Sequence, residues 1–216
     1  MNCAYDKNMT AVCQRLMGSV MDFCVYGLMY SAHDSYGLFL KSEYADKVES
    51  GDSKTIMGMS GIELAYEITK STRLTRDEMD RYTDYAINGR SPEYWSGWAL
   101  AYYQWRTGLK FSEINSVREF DDIIRMYNPY HEMDISKFCD RMDSLYREAN
   151  PETRLKKIRT ELGISQASLS DMTGIPLKTL QQYEQRQKNI NKANVDYLVV
   201  LSRAMSCNIE QLIEKV

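Results

Sequence analysis

Four side chains near the C-terminal end of the chain have the chemistry to read nucleic-acid bases: Lys178, Thr179, Gln181 and Gln182. A helix over residues 176–186 would turn them outward while Leu180 and Tyr183 face inward. Lysine favours guanine, and glutamine, with a donor and an acceptor on one amide, suits adenine. Arg186 and Lys188 add positive charge at the end of the same run, of the kind that meets phosphate. Groups with catalytic chemistry are fewer. His33 stands beside Asp34, and the run Tyr130-His131-Glu132-Met133-Asp134 is followed by Cys139, eight residues beyond His131. Neighbours on a helix point about 100° apart, so His131 and Glu132 do not converge, and no second His or Cys completes a zinc-binding spacing. A histidine hydrogen-bonded at a helix start is the simpler reading, and there is no glycine-rich phosphate loop. No catalytic residue, metal or cofactor is therefore expected.

The elements that would hold the base-reading face are legible around it. Ser165 stands at an N-cap position, its hydroxyl free to accept from first-turn amides, and Ala167, Leu169 and Met172 follow as an apolar face. Gly174 ends that helix. Ile175 and Pro176 restart the chain, because proline at the first helical position gives up only an amide that has no intrahelical partner. The segment is thus helix, tight turn, helix. In this order, Leu155, Arg159, Gly163-Ile164-Ser165-Gln166, Leu169, the glycine turn and Tyr183-Glu184 resemble the helix-turn-helix domain of the phage repressor and Cro type, the XRE family. The resemblance spans roughly Thr153 to Glu214 and implies a five-helix domain that binds double-stranded DNA by sequence. It also implies roles. Gln166 matches the glutamine that opens the second helix and grips a phosphate; Leu177, Lys178, Thr179 and Gln182 match the base-facing positions; Arg159 and Glu184 match a structural ion pair. Leu177 departs from the polar reader usual at its position, and Arg186 stands where glycine is common. The bland alternative is a small helical bundle with a solvated polar face, but amphipathic pattern alone would not place Ser-Gln, Gly-Ile-Pro and Tyr-Glu in this order.

The preceding part of the chain is expected to be helical too. In 216 residues there are only 11 glycines and 4 prolines, and alternating apolar runs are scarce, so the fold class is all-α. Ser or Thr followed three residues later by Glu marks helix starts at Ser60/Glu63, Thr75/Glu78 and Ser116/Glu119. A fourth start, Ser91-Pro92-Glu93, opens a helix in which Trp95, Trp98, Tyr102 and Trp105 recur at spacings of three and four along one face. That stripe is either core or a set of anchors for a partner. A helix over Asp134 to Glu148 lines up Ile135, Phe138, Met142 and Leu145, after which Asn150-Pro151 breaks the chain. The expected domains are therefore 1–150 and 152–216. Residues 35–61 are compatible with a short helix at 44–48 and a turn at 50–52, or with a small strand pair.

Charge divides along the same boundary. From Glu152 onward there are ten Lys and Arg against seven Asp and Glu, and before it seventeen against twenty-three. A mildly basic end fits phosphate contact, while the acidic remainder would be repelled from DNA. Five cysteines at unpaired spacings read as reduced, mostly buried thiols, and the run from Leu16 to Tyr30 is too short and polar to span a bilayer, so a cytoplasmic protein is expected. The reading that follows is a transcriptional regulator, a repressor by preference, acting as a homodimer on a pseudo-palindromic operator, with residues 1–150 supplying dimerisation or a partner site. The alternative is an antitoxin that neutralises a toxin through its N-terminal domain and autoregulates its operon. GMSGIELAYEI and SPEYWSGWALAYYQW resemble segments of bacterial helix-turn-helix proteins from toxin-antitoxin loci.

Overall fold

The computed structural model describes residues 3–87 and 89–216, and every regular element among them is a helix. The chain forms two compact units, Met1–Tyr146 and Arg147–Val216. In the first, α1 (Lys7–Asp22) runs on into a single π-helical turn (Phe23–Gly27). There follow α2 (Ala32–Lys41), α3 (Glu43–Glu49), α4 (Ser53–Gly58), α5 (Gly61–Thr69), α6 (Arg76–Ile87), α7 (Pro92–Thr107), α8 (Phe111–Val117), α9 (Phe120–Arg125), α10 (Tyr127–Tyr130) and α11 (Ile135–Ala149). Local capping chemistry sets several of the starts. Ser60 and Glu63 satisfy each other's amides at α5, as do Thr75 and Glu78 at the entry to α6. Ser91 caps α7 by accepting from the Tyr94 amide, with Pro92 at the first helical position.

The centre of this unit is the pair α1 and α7, with α4 and α5 also laid on α1. Two glycines let the pair close. A Cβ on Gly97 would lie 2.5 Å from the Met17 carbonyl oxygen, and one on Gly18 would lie 2.9 Å from that of Tyr94. Around this seam Met17, Val20, Met21, Ala99, Leu100 and Ala101 are buried. Asp22, also buried, accepts from the hydroxyls of Ser91 and Tyr82, which satisfies a carboxylate that would otherwise be costly to enclose.

Three expectations need correction here. Ser116 does not start a helix: it sits inside α8 with its hydroxyl donating to the Glu113 carbonyl, and α9 begins after Glu119. For residues 35–61 only the strand-pair alternative is overturned, since the short helix and the turn after it are both present. These residues form the end of α2, then α3 and α4, with Asp52 capping α4 through the Thr55 amide. The aromatic stripe of α7 is not uniformly core, because the faces pressed into the unit carry Ala99, Leu100, Ala101 and Tyr103. Of the four aromatic residues only Trp105 is buried, donating its indole N–H to the Tyr5 carbonyl, whereas Trp95, Trp98 and Tyr102 are half-exposed.

The second unit contains α12 (Arg154–Glu161), α13 (Gln166–Thr173), α14 (Leu177–Glu184), a 3-10 turn (Ile190–Lys192), α15 (Val195–Ala204) and α16 (Ile209–Leu212). Its core gathers one or more side chains from every element, including Leu155, Leu169, Leu180, Tyr183, Leu201 and Leu212. The whole is all-α, with five helices in the C-terminal unit. No described helix is long and apolar enough to cross a membrane.

Candidate nucleic-acid interface

The turn between α13 and α14 is built from short polar side chains. Ser165 caps α13 by accepting from the Ser168 amide at 3.0 Å. Gly174 ends the helix in the left-handed region, at φ +69°, where a side chain would be strained. The Ser170 hydroxyl then donates to the Ile175 carbonyl, and Thr173 Oγ1 accepts from the Ile175 amide, so the turn is fixed by hydrogen bonds from the helix that precedes it. Pro176, expected at the first helical position, instead occupies the cap one position before the observed start at Leu177, and its carbonyl accepts from the amides of Thr179 and Leu180. The apolar face expected for α13 narrows to Leu169 alone. Ala167 is exposed because it lies about 160° around the helix from Leu169, and Met172, one turn beyond Leu169, is 58 % exposed.

On α14 the inward residues are Leu180, Tyr183 and Glu184. Lys178 is exposed, Leu177 is 39 % exposed, and Thr179, Gln181 and Gln182 are half-buried. Lys178 and Lys188 make no ion pair with a carboxylate among the described residues, so their charges are available to an incoming polyanion. Burial raises the Tyr183 hydroxyl above its ordinary pKa and keeps it protonated.

What holds α14 at its angle is an ionic cluster under it. Arg159 of α12 donates Nε and Nη2 to the two carboxylate oxygens of Glu184, at 2.6 and 2.9 Å, and Nη1 to the Ile164 carbonyl at 2.6 Å. Gln166 Nε2 adds a further bond to Glu184 Oε2 at 2.7 Å. The carboxylate, through these bonds, shifts Arg159 further toward its protonated form. Three helices are thereby tied at one point, and the exposed face of α14 is fixed relative to α12 and α13.

Two features were not read from the sequence. Gln166 has its amide nitrogen committed to Glu184, which leaves only its oxygen and the α13 N-terminus free for a phosphate; a glutamine matched to one family role gave no sign of the second. Arg186 has φ +56°, the left-handed conformation that favours glycine, and its guanidinium donates to the carbonyls of Asn150, Pro151 and Glu152. It also lies 3.7 Å from a Glu214 carboxylate oxygen. Arg186 is therefore an internal tie rather than a free cation. The only sequence signal for it was its standing at a position where glycine is common.

The histidine and cysteine candidates fall elsewhere. His131 stacks on Tyr127 and hydrogen-bonds its carbonyl through Nδ1 at 3.0 Å, and Cys139 is fully buried, with burial pushing its thiol up to about 12. Such a thiol is no nucleophile at neutral pH. No group of three or more His, Cys, Asp or Glu suited to a metal ion occurs among the described residues.

No curated protein and no solved structure matches this chain. A family model described as a helix-turn-helix matches residues 155–212, which takes in the whole of the turn, α14 and the ionic cluster under it. The second unit is accordingly a helix-turn-helix domain, a DNA-binding element of transcriptional regulators, and its partner is double-stranded DNA.

Proposed function

We propose that the chain is a sequence-specific repressor that reads the major groove with α14. The observation that carries this is the arrangement of that helix: Leu180, Tyr183 and Glu184 lock one face into the domain, while Lys178 and Gln182, one turn apart, stay accessible. Lys178 and Gln182 contact base edges, Leu177 meets a thymine methyl, and Thr179 and Gln181 add contacts at the margin. Lys188 and the α13 N-terminus with Gln166 position the domain on phosphate. Arg186 is occupied at the surface by the carbonyls of residues 150–152. One recognition helix spans too few base pairs for specificity, so the working species is a homodimer placing two copies of α14 about 34 Å apart on a pseudo-palindrome. Residues 1–150, acidic and rich in aromatic side chains, supply its interface or a partner site. An antitoxin is the second reading. It uses the same DNA contacts, and the half-exposed Trp95, Trp98 and Tyr102 of α7 are the surface it offers a toxin, with Trp105 as their buried support.

The test is selection of a binding site from random DNA, followed by titration of variants on that site and on unrelated DNA. Lys178→Ala and Gln182→Ala should each lose about 1–3 kcal/mol on the selected site and little on random sequence. Equal losses on both would overturn the assignment. Sedimentation of the full chain should show a dimer; a monomer that also binds DNA as a single copy would remove the palindrome.

A further inference from the structure

The first unit contains a concavity that the DNA reading does not use. Its volume is about 290 Å³, and it lies among the entry to α7, the short α10 and the start of α11. The walls are flat rings. Trp95 meets Tyr127 edge to face at 5.8 Å and is braced by the fully buried Phe138 at 5.3 Å, and Tyr127 stacks on His131 at 3.9 Å. Trp98, Tyr94 and Tyr130 complete the ring surface. Because the fixed rings are held by one another and by the core, the site exists before any ligand arrives.

The charge of the lining is one-sided. Arg90 stands at the mouth with its guanidinium 4.8 Å from the centre of the Tyr94 ring, and it has no carboxylate partner among the described residues. The Nδ1 of His131 faces a carbonyl oxygen, which can only accept, so Nδ1 carries a proton and Nε2 is the nitrogen left for a ligand or for Glu132, whose carboxylate oxygen is 3.6 Å away. No Asp or Glu belongs to the lining itself. Rings on the walls favour a flat aromatic ligand by stacking, and an unpaired guanidinium at the rim favours an acid group on that ligand. Small-molecule sites begin at roughly 300 Å³, so the space suits one or two fused rings rather than a dinucleotide.

We infer that this concavity binds a small planar aromatic anion, its ring between Trp95, Trp98 and Tyr130 and its acid group on Arg90. The alternative occupant of an aromatic cage, a quaternary ammonium ion, is opposed by Arg90 and by the lack of any acid in the lining.

The test uses the full-length protein and three probes: 2-naphthoate, the 2-naphthyltrimethylammonium cation and cyclohexanecarboxylate, followed by calorimetry and by tryptophan fluorescence, since two of the three tryptophans line the site. The expected result is one 2-naphthoate per chain with quenched emission, and at least ten-fold weaker binding of the cation and of the non-aromatic acid. Arg90→Ala should weaken 2-naphthoate at least ten-fold without changing Tm, because Arg90 is exposed and has no ion pair among the described residues. Trp98→Leu, which keeps an apolar side chain but removes the ring, should do the same. Failure of 2-naphthoate to bind at millimolar concentration, equal or tighter binding of the cation, or binding indifferent to Arg90→Ala would each overturn the inference. None of these readouts involves DNA, so the outcome is separate from that of the repressor reading.

Discussion

Replacing Glu184 with glutamine should unfold the helix-turn-helix domain far more easily than its near-isosteric shape suggests. The carboxylate accepts from Arg159 twice and from Gln166 once, and the two ionic side chains are only 10 % and 2 % exposed. An amide in its place keeps one acceptor but turns an NH2 group toward a guanidinium or toward the Gln166 amide, so a donor meets a donor and Arg159 is left buried without a counter-charge. Removing one partner of such a pair costs about 3–5 kcal/mol. A domain of this size is stable by only roughly 3–10 kcal/mol, so the loss takes much of the total. The double variant Glu184→Gln with Arg159→Met should recover at least half, because the orphan charge is gone and an apolar chain fills its path. All three tryptophans lie in the first unit, which makes the assay specific. In a denaturant titration the tryptophan transition should stay where it is in wild type, while the part of the far-ultraviolet circular dichroism that tryptophan does not track should move to lower denaturant. A single variant with an unchanged dichroism profile would refute the reasoning, as would a double variant less stable than the single one.

Four further outcomes follow from other residues. Arg186→Gly should be more stable than Arg186→Ala by about 1 kcal/mol in chemical denaturation, because glycine accepts φ +56° without strain while both lose the ties to the carbonyls of residues 150–152; equal stabilities would mean the left-handed turn costs nothing. Gly97→Ala places a methyl group 2.5 Å from a backbone oxygen that cannot rotate away, and the overpacking, about 1–3 kcal/mol, should exceed the roughly 1 kcal/mol gained in helix propensity. A raised Tm in tryptophan-monitored melting would contradict this. Gln166→Ala should lower both domain stability and affinity for all DNA sequences, whereas Lys188→Ala should reduce the salt slope of binding by about one without touching stability. Thiol reactivity gives a pH test. Burial raises Cys13 to about 11 and Cys24 and Cys139 to about 12, so these stay protonated as pH rises from 7 to 9, and iodoacetamide should label exposed Cys3 first and them only on unfolding; rapid labelling of all three at pH 8 would contradict their burial.

How much of this was legible in the sequence depended on the distance over which the physics acts. Caps at Ser60, Ser91 and Ser165 were readable because hydroxyl and amide are three residues apart. The same spacing misled at Ser116, where the hydroxyl turned back to its own helix. The turn and α14 were readable because turn residues, a buried stripe and a polar stripe coincide within twenty residues. Three facts depended on partners far along the chain. The tie of Arg186 reaches back some thirty-five residues, the indole of Trp105 meets a carbonyl a hundred residues away, and the half-exposure of Trp95 and Trp98 depends on α10 and α11 covering one flank of α7. Periodicity on α7 showed which aromatic residues share a face. It could not show which face the neighbours occupy, since a helix buried on several sides has no single apolar stripe.

The glycine seam between α1 and α7 has a consequence for synthesis. Its two halves, Lys7–Asp22 and Pro92–Thr107, are separated in the chain by the five helices α2 to α6, so α1 leaves the ribosome long before the surface it is shaped to meet. At roughly 5–20 residues per second the wait is on the order of ten seconds. During that time Met17, Val20 and Met21 have no α7 to cover them. The first unit cannot complete its centre until Thr107 has been translated, and a nascent chain stalled before Pro92 presents an apolar helix to whatever binds such surfaces in the cell.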